Sequence, residues 1–121
     1  MKTFRFLDFK VYQDSKSLHK EIIEITSALP RTQWELADQM RRASLSVCLN
    51  IAEGSAKFSD KDFKRYIENS LGSINEVVAC LDIALDNSII TKDLSIKVLK
   101  KAEEITRQLG GLSKKLRTPI S

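Results

Sequence analysis

Apolar residues recur along the chain at alternating three- and four-residue steps, the period of an amphipathic helix. The last run is the cleanest, with Val98, Ala102, Ile105, Leu109, Leu112 and Leu116 in a 4-3-4-3-4 rhythm. Before it, Phe63, Ile67, Ser70, Ile74, Val77 or Val78, Leu81 and Leu85 mark a third helix. A first helix is predicted over residues 8–29, with Phe9, Tyr12, Leu18, Ile22, Ile25 and Leu29 near one face. Pro30 stops it, because the residue before a proline is pushed out of helical geometry. Thr32, Ser59 and Thr91 stand where the second, third and fourth helices would be capped, and Asn87 and Ser88 close the third. Ser59 and Asp62 have the spacing of a capping box, with Asp in place of the preferred Glu. Gly110 and Gly111 interrupt the last rhythm, and either weaken its final turns or admit another helix closely. Four long helices with short joints predict an all-α, antiparallel up-down-up-down four-helix bundle, a single domain over residues 1–121.

The second helix, residues 33–56, departs from the simple amphipathic pattern. Leu36, Met40, Ala43, Val47, Ile51 and Phe58 fall on one stripe together with Gly54. Leu45, Cys48, Leu49 and Ala52 form a second apolar face, and Gln39, Arg42, Ser46, Asn50 and Glu53 a polar seam between the two. A helix that is apolar on two sides must bury both. One face serves its own bundle; the other predicts a contact with a further subunit. The seam reads as structural, with Asn50 and Glu53 meeting donors across helices or subunits and fixing their register.

Composition narrows the remaining classes. With 42% hydrophobic and 30% charged residues, the chain suits a folded globular domain. No stretch approaches the roughly 20 apolar residues of a membrane span. The N-terminal residues lack an apolar secretory core, and Cys48 and Cys80 have no metal-ligand or redox spacing, so a cytoplasmic location is expected. His19 is the single histidine and has no cysteine or carboxylate partners at metal-site spacing, so neither a metal nor a cofactor is expected. Glu53 has no second carboxylate or nucleophile beside it, and an enzyme is not expected. Trp34 and Tyr66 are placed by the pattern in core or interface packing rather than in base stacking.

The stretch L-A-D-Q-M-R-R-A-S-L-S-V-C-L-N-I-A-E-G, residues 36–54, resembles the signature of the four-helix bundle family of rRNA intervening-sequence proteins. The resemblance continues through Ser59 and Phe63 to G-S-I-N-E at residues 72–76, and F-K-V-Y-Q at residues 9–13 is similar to the family's opening pattern. Cys48 stands where many members carry a proline, and Ser70 where alanine is common. The resemblance implies a small non-enzymatic bundle assembled as a ring-like homopentamer. The family is also similar to the accessory protein of diversity-generating retroelements, which works with a reverse transcriptase and nucleic acid.

Charge adds a direction to that implication. Antiparallel helices would gather residues 1–12, 52–68 and 110–121 at one end of the bundle. These regions hold Lys2, Arg5, Lys10, Lys57, Lys61, Lys64, Arg65, Lys114, Lys115 and Arg117 against Asp8, Glu53, Asp60, Asp62 and Glu68, a net of +5. Residues 22–40 and 78–100, at the other end, hold four bases against six acids. A parallel ring would sum the basic ends on one face, an arrangement that attracts a phosphate backbone. The expected role is binding of DNA or RNA with little sequence preference. The nucleic-acid contacts would be Lys57, Lys61, Lys64, Arg65, Lys114, Lys115 and Arg117, and the subunit contact Leu45, Cys48, Leu49 and Ala52. The alternative is a protein-binding adaptor or scaffold, for example an accessory subunit of a reverse transcriptase.

Overall fold

The computed structural model of the chain describes residues 2–116. A 3-10 turn at Arg5–Asp8 leads into α1 (Lys10–Ser27), and a second at Arg31–Gln33 leads into α2 (Trp34–Ser55). Two further helices, α3 (Asp60–Asp86) and α4 (Lys92–Lys115), complete the fold, and the described residues contain no strand. Each of α1 and α3 packs against both α2 and α4, so α2 and α4 lie on one diagonal of a four-helix bundle. The short joints make sequence neighbours antiparallel.

Local chemistry accounts for the helix ends. The Ser59 hydroxyl accepts from the Asp62 amide at 3.1 Å and the Thr91 hydroxyl from the Leu94 amide at 3.2 Å, capping α3 and α4. Thr32 makes no such cap. Pro30 holds extended backbone and the chain then winds through the Arg31–Gln33 turn, which puts Gln33 at the N-cap without a side-chain bond. At the far end of α3, the Ser88 amide donates to Leu85 O at 3.0 Å and the Ile89 amide to Ala84 O at 2.8 Å. This paired closure requires a left-handed residue, and Ser88 supplies it with φ at 57°. The turn then delivers Ile90 into the core.

The heptad positions read from the sequence are the ones buried. Leu18, Ile22, Met40, Val47, Ile51, Ile67, Ile74, Val77, Leu81, Val98, Ile105 and Leu109 are almost fully enclosed. Val77 rather than Val78 takes the core position, and Val11 joins the core from α1. Phe58 is the exception: placed on the α2 stripe by extrapolation, it is fully exposed. The helix ends at Ser55, so the rotational register that assigned Phe58 no longer holds three residues later. Trp34, expected in packing, is also largely exposed, at the opposite end.

Gly54 sets the closest approach between α2 and α3. A Cβ added there would lie 2.7 Å from Tyr66 Cβ and 2.9 Å from Phe63 Cδ1. Tyr66 Cβ is bonded directly to the backbone and cannot rotate away, so any side chain at residue 54 must push the helices apart. Gly110 and Gly111 have no such neighbour within 4 Å, so neither admits a close helix inside the subunit. Gly54→Ala is therefore expected to destabilise by about 1–3 kcal/mol through overpacking. Gly110→Ala is expected to stabilise by about 0.5–1 kcal/mol through helix propensity. Chemical denaturation of both variants checks the pair, and equal shifts in the same direction would contradict the close-approach account.

Candidate nucleic-acid interface and subunit contact

The polar seam of α2 lies along α3. Gln39 Nε2 donates to Glu76 Oε2 at 2.7 Å, the Ser73 hydroxyl donates to Ser46 Oγ at 2.9 Å, and Asn69 Nδ2 reaches Asn50 Oδ1 at 3.4 Å. Between them the buried Ser70 hydroxyl donates to Val47 O at 2.9 Å. As numbers rise along α2 the partners fall along α3, which is antiparallel pairing in a single register. Asn50 also donates to Ser46 O at 2.9 Å. Two seam residues stay outside this set. Arg42 pairs with Asp38 at 3.3 Å on the exposed side of α2, and the exposed Glu53 side chain bonds no described residue.

On the second face of α2, Leu45 and Leu49 are 43% and 49% exposed and Ala52 is half-buried. They form a short apolar ridge left exposed by the described residues. Cys48 does not belong to it. It is only 4% exposed, with its thiol 3.8 Å from Ser44 O. A bundle helix with two neighbours buries a wider arc than one stripe, and Cys48 falls inside that arc. Burial pushes the thiol up to about 11, so it stays protonated and unreactive at neutral pH.

The basic regions do meet at one end. Arg5 Nη2 donates to Ser55 O at 3.0 Å and its guanidinium lies over the rings of Phe9 and Phe63, at 5.8 and 5.6 Å. Arg5 thus satisfies a carbonyl at the end of α2 and clasps the N-terminal turn to the bundle, a structural use of a residue counted above among the basic charges. Lys57 Nζ and the Arg65 guanidinium lie 4.9 and 5.4 Å from the centre of the Tyr66 ring, which therefore holds two cations. Arg65 also approaches Asp62 at 3.8 Å. Lys61, Lys114 and Lys115 are exposed at the same end, with Lys64 partly covered. Arg117 lies outside the described residues.

No group of three or more histidine, cysteine or acidic side chains is placed to hold a metal among the described residues. None of the helices described is long and apolar enough to cross a membrane. His19, from α1, makes a 2.8 Å hydrogen bond through Nδ1 to Ser44 Oγ of α2, and the Ser44 hydroxyl donates to Arg41 O at 3.1 Å. Arg41 itself bridges to α1, with Nε 2.7 Å from Thr26 Oγ1.

An up-down four-helix bundle with a lysine-rich end and an unpartnered ridge is a class of architecture, and the comparisons give it a family. The model of the 23S rRNA-intervening sequence protein family matches residues 7–111, so the chain belongs to that family. A crystal structure of a protein with unknown function from the S23 ribosomal protein family of Bacteroides thetaiotaomicron shares the fold. Its TM-score is 0.80 at 23% identity, covering 87% of this chain and 99% of that one. Among curated proteins none matches the chain.

The His19 contact has a pH signature. Burial and then the nearby Arg41 charge lower its pKa from the ordinary 6.5. The unfolded chain therefore takes up the proton first as pH falls. Stability is full above about 6.5 and drops as pH falls toward the folded value. The urea midpoint is expected to fall between about pH 7.5 and 5.5 in the wild type. It should fall less in His19→Asn, which removes the titration while keeping a polar group near Ser44. Parallel profiles would refute the assignment.

Proposed function

We propose that the protein is a non-enzymatic, ring-like homo-oligomer, a pentamer by family resemblance, that binds DNA or RNA through its basic end with low sequence specificity. The observation that carries this reading is the gathering of cations at one end of the bundle, two of them held by Tyr66. The Leu45, Leu49 and Ala52 ridge supports assembly, because an apolar ridge on one side of α2 is covered most simply by a neighbouring copy. In a closed ring each copy contributes its basic end to the same face. Phosphate contacts of this kind position a nucleic acid without reading bases.

Lys61, Lys64 and Arg65 changed together to Glu are expected to abolish binding in a filter assay. Wild-type binding should weaken by roughly 10-fold or more between about 50 and 200 mM salt if several phosphates are neutralised. Lys92→Glu with Lys100→Glu, at the opposite end, is the control, and it should leave binding far less affected. Lys101 is unsuitable there, since its ammonium bonds Ser17 at 2.7 Å and Glu21 at 3.1 Å. A wild type without salt-sensitive binding to either nucleic acid would overturn the reading.

Leu49→Asp is expected to dissociate the assembly, because a charge in a dry contact has no partner. Light scattering after size exclusion checks this, and a monomeric wild type at micromolar concentration would defeat the assembly model.

A second reading, a protein adaptor with a client such as a reverse transcriptase, is favoured by a different surface. The groove between α3 and α4, lined by Ile74, Val78, Leu99 and Ala102 and rimmed by Glu103 and Arg107, suits an amphipathic helix of a client. It becomes the better reading if the charge-reversed variant keeps all function.

A further inference from the structure

The α2–α3 joint carries a feature that the charge pattern alone does not explain. Phe58 stands at the tip of the basic end with its side chain fully in solvent. The backbone around it is held: the Lys57 amide donates to Gly54 O at 3.1 Å, and Ser59 caps α3. A phenyl ring on an ordered turn, fully in solvent, presents both of its faces to a ligand.

Most of the other rings of this end have partners. Phe9 and Phe63 lie under Arg5, Phe6 packs edge-on against Tyr12 at 5.0 Å, and Tyr66 carries Lys57 and Arg65. Phe4 is about half exposed. Phe58 is left with both faces uncovered, between Lys57 on the turn and Lys61 in the first turn of α3.

Resting on the nucleic-acid reading above, we propose that Phe58 is a stacking site for an unpaired base, so that the basic end prefers single-stranded over duplex nucleic acid. The chemistry is complementary: the ring takes a nucleobase face while Lys57 and Lys61 meet the flanking phosphates. A duplex keeps its bases stacked inside and offers the ring nothing. Asp60 and Asp62, in the first turn of α3, disfavour a uniformly anionic surface such as a membrane, whereas a single strand presents discrete phosphates with a base between them.

The test is fluorescence anisotropy with a labelled single-stranded oligothymidylate, the matching oligouridylate, and a duplex of equal length, at fixed salt. Wild type should favour both single strands. Phe58→Ala should weaken single-strand binding by roughly 10-fold with duplex binding unchanged, and Phe58→Trp should restore it. Wild type binding strand and duplex equally, with salt dependence intact, would overturn the stacking site while leaving the nucleic-acid reading in place. No binding by wild type to any of them would remove both. A changed oligomer mass in Phe58→Ala would assign the ring to a contact between copies and overturn the proposal. So would Phe58-dependent binding to anionic vesicles without strand preference.

Discussion

The close approach of α2 to α3 at Gly54 is the constraint on which the rest of the arrangement depends. With no side chain there, the backbone of α2 comes within contact distance of Tyr66 and Phe63. That proximity seats Phe63 in the core, where Arg5 can cover its ring while reaching Ser55 O. It also places Tyr66 where Lys57, from the turn, and Arg65, from α3 itself, both fall on its ring. The packing of Phe63 and Tyr66, and through Tyr66 the placing of Lys57 and Arg65, thus goes back to the close approach at one residue. The seam farther along the same pair of helices fixes the register, because Ser46, Val47 and Asn50 each meet a partner on α3 at only one offset.

The fold was legible because it is carried by periodicity, and periodicity survives as long as the helix does. The α4 rhythm from Val98 to Leu109 is buried position by position. The misreadings fall where the helix stops or where geometry is two-sided. Phe58 lies past the end of α2, where the helical period no longer applies, and Thr32 lies within the 3-10 turn that precedes the helix rather than at its cap. Cys48 was grouped with Leu45 and Leu49 by rotation alone. A single helix cannot show that α1 covers one edge of that face. The candidate site was legible only as a charge total. Which cations are held by a ring, which clasp a neighbour and which face water depends on side-chain geometry, and no spacing rule encodes it.

A family model and a shared fold specify architecture, while function resides in the surfaces grafted on it. Here those surfaces are separate in space. The ridge lies along the flank of α2, the lysine-rich tip at the α2–α3 joint, and the groove between α3 and α4. The assembly, nucleic-acid contact and client docking proposed for them are thus open to separate substitutions, at Leu49, at the lysines of the tip and in the groove.

The seam between α1 and α4 differs in kind from the α2–α3 seam. Its surface contacts are Lys101 to Ser17 and Glu21, Lys97 to Glu21 at 3.9 Å, and Gln108 Nε2 to Asp14 Oδ2 at 2.7 Å. These contacts join charged and polar groups at the partly buried margin of the bundle, and the most exposed of them, from Lys97, is the one most screened by salt. The α2–α3 pair, by contrast, is joined by short hydroxyls, one of them buried against a backbone carbonyl. Contact is correspondingly uneven around the bundle, most extensive between α2 and α3 and least between α1 and α4. In hydrogen-exchange terms, the amides of the α2–α3 hairpin are expected to be the last to open, since its two helices share the most extensive contact in the fold.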